Sequence, residues 1–362
     1  MSLVGAPPSR FERREALAPM PTGGRRLLIA TDAWRPQVNG VVRTLEGLAR
    51  ELPAFGVEPH FLTPEGFPSF AMPGYPQIPL ALASMRVIAR RIQAIAPEAI
   101  HIATEGPIGL LVRRWCVTNG VRFTTCYHTR YPEYIAARLP VPLALSYAAL
   151  RRFHGAAAAT MVATDGLRSE LEARGFSKLA LWQRGVDTAL FAAGRPGALD
   201  HLPRPIFLCV ARVAVEKNIE AFLALDLPGS KVVVGEGPAR SDLEARYPEA
   251  HFLGLRAGRA LADIYASADV FVFPSRTDTF GLVMLEAMAA GVPVAAFPVT
   301  GPKQIITDPC CGVMDEDLGR AARAALHLSR EACRAHAARH TMAASARSFL
   351  DNVGAALGVP RY

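Results

Sequence analysis

No apolar run in this sequence of 362 residues reaches the roughly 18 residues a membrane-spanning helix needs, because Arg, Asp, Glu or Pro interrupts each candidate. The sequence therefore reads as one that does not span a bilayer by helices. The first 24 residues also lack the continuous apolar stretch of a secretory signal and mix both charge signs. A flexible leader over 1–24 and a cytoplasmic chain are expected. Cysteine is scarce: Cys116, Cys126, Cys209, Cys310, Cys311 and Cys333 stand apart from any CxxC pair or paired His spacing. That pattern suggests neither a disulfide framework nor a zinc site, and buried, reduced thiols are the expectation. No Gly-x-Gly-x-x-Gly follows the first apolar strand, which argues against a standard dinucleotide oxidoreductase. No repeat of 20 to 50 residues points to a solenoid.

What is present is a chain that is 51% hydrophobic and 20% charged, a balance suited to large cores and not to extensive disorder. Its length suggests two domains. The net charge is +8, and it is unevenly placed: 23 Lys and Arg face 14 Asp and Glu in residues 1–195, against 17 and 18 in residues 196–362. An excess on one half points to an anionic partner such as a phosphorylated metabolite, a nucleic acid or an anionic bilayer.

From Arg25 onward short β-rich runs alternate with helix-like segments, the pattern of parallel sheets with crossover helices. Gly and Pro cluster without periodicity near 192–206, and the alternation restarts at IFLCVAR. Two α/β domains are expected, over 25–195 and 196–340, with 341–362 as a final helix. In open parallel sheets ligands lie at the carboxyl ends of strands. Asp32, Asn39, Gly40, Glu105 and His128 hold such places in the first half; Arg212, Gly235, Gly237 and Asp278 hold them in the second.

The stretch from Ser275 to Gly291, SRTDTFGLVMLEAMAAG, is the most informative. On a helix beginning near Gly281, Glu286 is surrounded by Leu282, Val283, Ala289 and Ala290. A carboxylate buried there requires a buried Arg or Lys, or a polar cavity at the helix start, and the neighbouring strand end favours the cavity. Asp278 either meets a ligand or caps the same helix. In ARVAVEKN, Arg212 and Lys217 combine a planar fork with a compact charge near a helix read from Glu216, a combination suited to a diphosphate. A surface ion pair with Glu216 is the plainer alternative. Asn39 and Gly40 in PQVNGVVRTL, and Gly235 in GEGP, mark a phosphate site at a helix start or ordinary turns. His128 in YHTRYPEY either contacts a ligand hydroxyl or is structural, and Tyr127, Tyr131 and Tyr134 beside Arg130 form an acceptor platform or a packed loop. Arg86, Arg90 and Arg91 with Val87, Ile88, Ile92 and Ile95 fit an interfacial helix or an ordinary crossover helix. The acidic run Asp315–Asp317 reads as capping and surface charge.

Taken in order, PQVNGVVRTL, YHTRYPEY, LWQRGVD, ARVAVEKN, GEGP, SADVFVFPSRTDTFGLVMLEAMAAGVPV and VTGP resemble the family 4 glycosyltransferases over nearly the whole chain after the leader. The resemblance implies the GT-B fold: two facing Rossmann-like domains with a C-terminal helix crossing back to the first. It implies a retaining transfer from a nucleotide sugar, GDP-mannose or a UDP-sugar, with no cofactor and no metal. Arg212 and Lys217 would hold the diphosphate, assisted by the amides of Gly281, Leu282 and Val283. Glu286 would take the ribose hydroxyls. Asn39 and Gly40 would close the phosphate site, and His128 would contact the sugar. The family's Glu-x7-Glu appears as Asp278-x7-Glu286, with a shorter side chain at 278. The first-half motifs look closest to mannosyl, sulfoquinovosyl and glucuronosyl transferases acting on lipids, which implies a lipid acceptor, a peripheral place on the cytoplasmic face and no nucleic-acid partner. A soluble transferase for a small or polysaccharide acceptor, and a sugar-nucleotide epimerase, are the alternatives.

Overall fold

The computed structural model describes residues 25–37, 39–72, 75–136 and 141–358; the expected leader over 1–24 and residues 359–362 lie outside them. The first strand shows how the sheet is covered. In β1 (Arg25–Ala30), Leu27, Leu28, Ile29 and Ala30 are all buried, as a strand covered on both faces must be. Side chains alternate across the sheet: Leu27 and Ile29 pack with Leu45, Leu48, Phe349 and Val353, while Leu28 and Ala30 pack with Ile88, Ile92, Ile108 and Val112.

The other strands of the first half are β2 (Val57–Leu62), β3 (Ser69–Met72), β4 (Tyr75–Ala81), β5 (Ala99–Ile102), β6 (Thr124–Cys126), β7 (Ala159–Val162) and β8 (Leu179–Leu181). They form a parallel six-stranded sheet in the order β2-β1-β5-β6-β7-β8, with β3 and β4 as a separate antiparallel pair. A second parallel six-stranded sheet holds β9 (Ile206–Val210), β10 (Ser230–Val234), β11 (His251–Phe252), β12 (Val270–Phe273), β13 (Val294–Ala296) and β14 (Gly312–Met314), in the order β11-β10-β9-β12-β13-β14. Both orders reverse direction beside their first strand, and such a reversal opens a crevice at the carboxyl ends.

The helix Met342–Leu357 crosses back to the first sheet. Phe349, Leu350 and Val353 enter its core; at about 1.5 to 3 kcal/mol for each fully buried large side chain, that contact anchors the chain's end. Trp182 Nε1 donates to the Ser345 carbonyl at 3.1 Å, and Ser345 Oγ donates to the Gln183 carbonyl at 2.7 Å. The helix Met85–Ile95, which the sequence leaves open between an interfacial and a crossover role, buries Ile88 and Ile92 in the first core. Its Arg91 lies over the Phe67 ring at 4.0 Å and donates to the Gly66 carbonyl, so it serves as a crossover helix on its inner face. Among the described residues no helix is long and apolar enough to cross a membrane.

Candidate active site

The loops after β1 and β6 and those after β9 and β12 meet between the two sheets. Asn39 caps the helix Gly40–Glu51: its side-chain oxygen accepts from the Val41 and Val42 amides at 3.0 Å each. Its amide nitrogen donates to Gln37 Oε1 at 3.1 Å. The ordinary capping role is thus met within the chain. Gly40 faces the second domain, where a Cβ would stand 3.7 Å from Leu282 Cδ1, an ordinary contact. No protein atom therefore demands glycine at 40.

One turn beyond Gly40, Arg43 reaches across to Glu286, and NH1 forms an ion pair with Oε1. Tyr265 donates to Oε2 at 3.0 Å. The Glu286 side chain is 4% exposed and that of Arg43 29%. The polar cavity favoured from sequence is accordingly corrected: Glu286 is paired, and its partner comes from the other domain. The Glu286 charge, ahead of the opposing burial, holds the Arg43 guanidinium above its usual value. Burial and then Glu286 push the Tyr265 phenol well above its own, which keeps it a hydrogen-bond donor.

Arg212 follows β9 and pairs with Glu216 at 2.6 Å. Lys217 pairs with Asp278, and Thr277 Oγ1 donates to the Glu216 carbonyl at 3.1 Å. Burial opposes the Lys217 charge, yet Asp278 and the nearby Tyr134 outweigh it and hold the amine above its usual value. Two local expectations need correction. The helix read from Glu216 is a 3-10 turn, Val215–Lys217, followed by the helix Ile219–Leu223, because Asn218 takes a left-handed conformation (φ 53°) between them. Asp278 does not cap the helix Leu282–Ala289; Gly281 holds that position without a side-chain cap.

Gly281 has φ 94°, and a Cβ there would meet Met284 Cε at 2.6 Å and Phe273 at 3.0 Å. The chain must turn sharply to start the helix so close to β12. Leu282 and Val283 then contribute first-turn amides, which have no acceptor within the helix. Gly235 (φ 146°) lies against the next loop: a Cβ would meet the Ala211 carbonyl oxygen at 1.9 Å. The Val213 amide donates to the Glu236 carbonyl at 2.9 Å, so GEGP braces the backbone that carries Arg212.

His128 follows β6. Its carbonyl accepts from Thr279 Oγ1 of the second domain at 2.9 Å, and its Nδ1 lies 3.4 Å from Arg184. Burial first, then Arg184, His101 and His154, hold its imidazole well below the usual value. The ring is neutral at physiological pH. Of its neighbours, Tyr127 is core, packing with Tyr147 and Phe176, and Arg130 is engaged by Glu170 at 2.6 Å. The packed alternative holds for those two residues. Near the same junction an open cleft of about 550 Å³ is lined by Arg130, Glu133, Glu170, Arg276, Thr300 and Lys303, among others.

The acidic run is spoken for: Asp315 pairs with Arg320, Glu316 with Arg276, and Asp317 caps the helix Leu318–Ala325. Among the described residues no three His, Cys, Asp or Glu side chains are grouped to hold a metal. Arg43, Tyr265 and Arg184 are the residues sequence reasoning missed. A signal existed for the first, since a carboxylate in an apolar helix demands a cation and Arg43 lies one turn from Gly40.

Two family descriptions match: "Glycosyltransferase Family 4" over residues 38–190 and "Glycosyl transferases group 1" over residues 204–331. A GDP-mannose-dependent alpha-mannosyltransferase of Mycobacterium tuberculosis is 30% identical, with 80% of this chain and 84% of the relative covered. A sulfoquinovosyl transferase of Arabidopsis thaliana is 32% identical, with 67% of this chain covered and 51% of that longer protein. Among solved structures, the Anabaena HepE protein in complex with UDP and glucose superposes with a TM-score of 0.67 at 13% identity, covering 91% of this chain and all of that one. A sucrose-phosphate synthase from Thermosynechococcus elongatus gives 0.67 at 19% identity, over 92% and 95% of the two chains. The chain belongs to the family 4 glycosyltransferases and is a glycosyltransferase of the GT-B fold.

Proposed function

We propose that this enzyme moves a hexose, with retention, from GDP-mannose or a UDP-sugar to a membrane lipid or lipid-linked acceptor at the cytoplasmic face. Residues 25–195 act as the acceptor domain and 196–340 as the donor domain. The observation that carries the reading is the meeting of Arg212, Lys217, Asp278, Glu286 and His128 at the junction of the two sheets, beside the helix start at Gly281. Arg212 and Lys217 bind the diphosphate and stabilise the charge that grows on it as the sugar departs. The amides of Gly281, Leu282 and Val283 add donors, Glu286 takes the ribose hydroxyls, and Gly235, Asn39 and Gly40 complete the phosphate site. Asp278 and His128 hold the sugar. No metal or other cofactor takes part on this reading; the sugar nucleotide is the substrate.

Relatives support the substrate class. Besides the mannosyltransferase above, a phosphatidylinositol dimannoside mannosyltransferase of Mycobacterium tuberculosis is 28% identical, and an alpha-monoglucosyldiacylglycerol synthase of Streptococcus pneumoniae is 25% identical. The basic first half suits an anionic leaflet. The test of the donor site is calorimetric titration of GDP and UDP into wild type and Glu286→Gln. The substitution should weaken the preferred nucleotide by about 1.5 to 3 kcal/mol; unchanged affinity in a folded variant refutes the ribose assignment.

A further inference from the structure

Arg184 is buried, 4% exposed, and among the described residues it forms no ion pair with a carboxylate. Its guanidinium carbon lies 3.7 Å over the Trp182 ring. Its NH2 lies 3.0 Å from Cys126 Sγ and 3.4 Å from His128 Nδ1, and its NH1 has no partner. A guanidinium only donates. The contact with His128 is attractive only when Nδ1 offers its lone pair, and a neutral imidazole then carries its proton on Nε2. That Nε2 is shielded from water and has no hydrogen-bond partner, the signature of a donor waiting for an acceptor.

We propose that Arg184 is the positioning residue of His128: it fixes the tautomer so that Nε2–H is a permanent neutral donor to a hydroxyl of the transferred sugar. This rests on the reading that His128 contacts the sugar. The groups facing the ring agree with a neutral state. Arg184 follows β8, His101 stands on β5, and His154 on the helix Leu143–Gly155 is held by Glu105 at 3.1 Å; all three oppose a positive charge on His128. Trp182 meets the ring edge-on at 5.9 Å between centroids, so rotation that would exchange the two nitrogens is hindered. His128 therefore serves as a donor and not as a proton shuttle.

The test separates tautomer from function. Nitrogen-15 histidine spectra of the ligand-free enzyme should show His128 protonated on Nε2 alone from pH 5.5 to 8. Protonation on Nδ1, or titration in that window, overturns the proposal whatever the activity. Arg184→Gln retains an N–H for Nδ1 but loses the charge, so the tautomer should persist at pH 8 while an acid limb, absent from wild type, enters the kcat profile. Arg184→Met should lose both. If Gln and Met variants fold, by near-ultraviolet circular dichroism, and match the wild-type pH profile, Arg184 has no hold on His128. His128→Gln, which keeps an amide donor, should retain more activity than His128→Ala, which should fall roughly 10-fold or more in kcat/KM. Equal, near-wild-type activity of both, with the tautomer as expected, refutes the sugar contact and not the tautomer.

Discussion

Removing Arg43 tests whether the two domains are tied through one buried charge pair. In Arg43→Met the Glu286 carboxylate keeps Tyr265 but loses its cation, in a helix whose other neighbours are apolar. Breaking a buried pair from one side costs about 3 to 5 kcal/mol, because the remaining charge stays desolvated. Arg43 keeps 29% of its surface in water, so solvent can enter where it leaves and the low end, about 3 kcal/mol, applies. For domains of this size that corresponds to a fall of roughly 6 to 12 °C in Tm, read by thermal unfolding with near-ultraviolet circular dichroism. The double variant Arg43→Met, Glu286→Gln removes both charges and should recover at least about 1 kcal/mol relative to Arg43→Met, a coupling a double-mutant cycle isolates. Ribose hydroxyls would replace the missing donor, so the preferred nucleoside diphosphate should raise Tm more in Arg43→Met than in wild type. Strict additivity in the cycle, with an unchanged ligand shift, would refute the argument that Glu286 is held by Arg43 until a nucleotide takes it.

Three further outcomes are expected. Lys217→Ala should lower turnover by roughly 10²-fold, by analogy with the loss of one oxyanion donor, in an enzyme whose activity survives excess chelator; loss on chelation with recovery on adding magnesium or manganese contradicts the leaving-group role. His101 is fully buried, and burial followed by Arg184 lowers its imidazole to about 3 from the usual 6.5. The unfolded chain binds this proton first as pH falls, so stability present above pH 6.5 is lost toward pH 3. Urea unfolding at pH 5.5 against pH 7.5 should show about 1.4 kcal/mol less loss in His101→Gln than in wild type; an identical pH dependence removes that assignment. The excess of basic residues in the first half should give sedimentation with anionic but not neutral vesicles, weakening with salt, and equal behaviour toward both ends the membrane reading.

The alternation of strands and helices was readable because it depends on neighbours in sequence. The buried pattern of Leu27 to Ala30, or of Ile206 to Val210, is a local property of parallel strands. Gly281 was legible as a helix start and Gly235 as a turn, while the clash behind each is visible only in the fold. Pairings were less readable. Lys217 and Asp278 stood out singly as polar residues at strand ends, but their contact spans 61 positions. Arg43 looked like any cation on an amphipathic helix, and only the facing domain, 243 positions away, gives it a carboxylate. Arg184 lay within LWQRGVD, yet nothing local to that motif tells that Trp182 and Cys126 enclose it. The helix expected from Glu216 failed for a different reason: the left-handed Asn218 interrupts it.

Three cations near the junction, Arg212, Lys217 and Arg43, share one arrangement, and its consequence concerns how a ligand enters. Arg212 is held by Glu216, Lys217 by Asp278 and Arg43 by Glu286. Each cation is already partly stripped of water and aimed by its carboxylate, so an arriving diphosphate pays little to desolvate or orient it. It must instead displace a carboxylate that is already bound. On the proposed reading two of these carboxylates are themselves the next contacts: Asp278 becomes free for sugar hydroxyls as Lys217 turns to phosphate, and Glu286 for the ribose as Arg43 lets go. A ligand lacking either the diphosphate or the ribose would leave one exchange incomplete and a buried charge without a partner. Discrimination against sugar phosphates without a nucleoside therefore follows from the same pairs that keep the ligand-free cleft neutral.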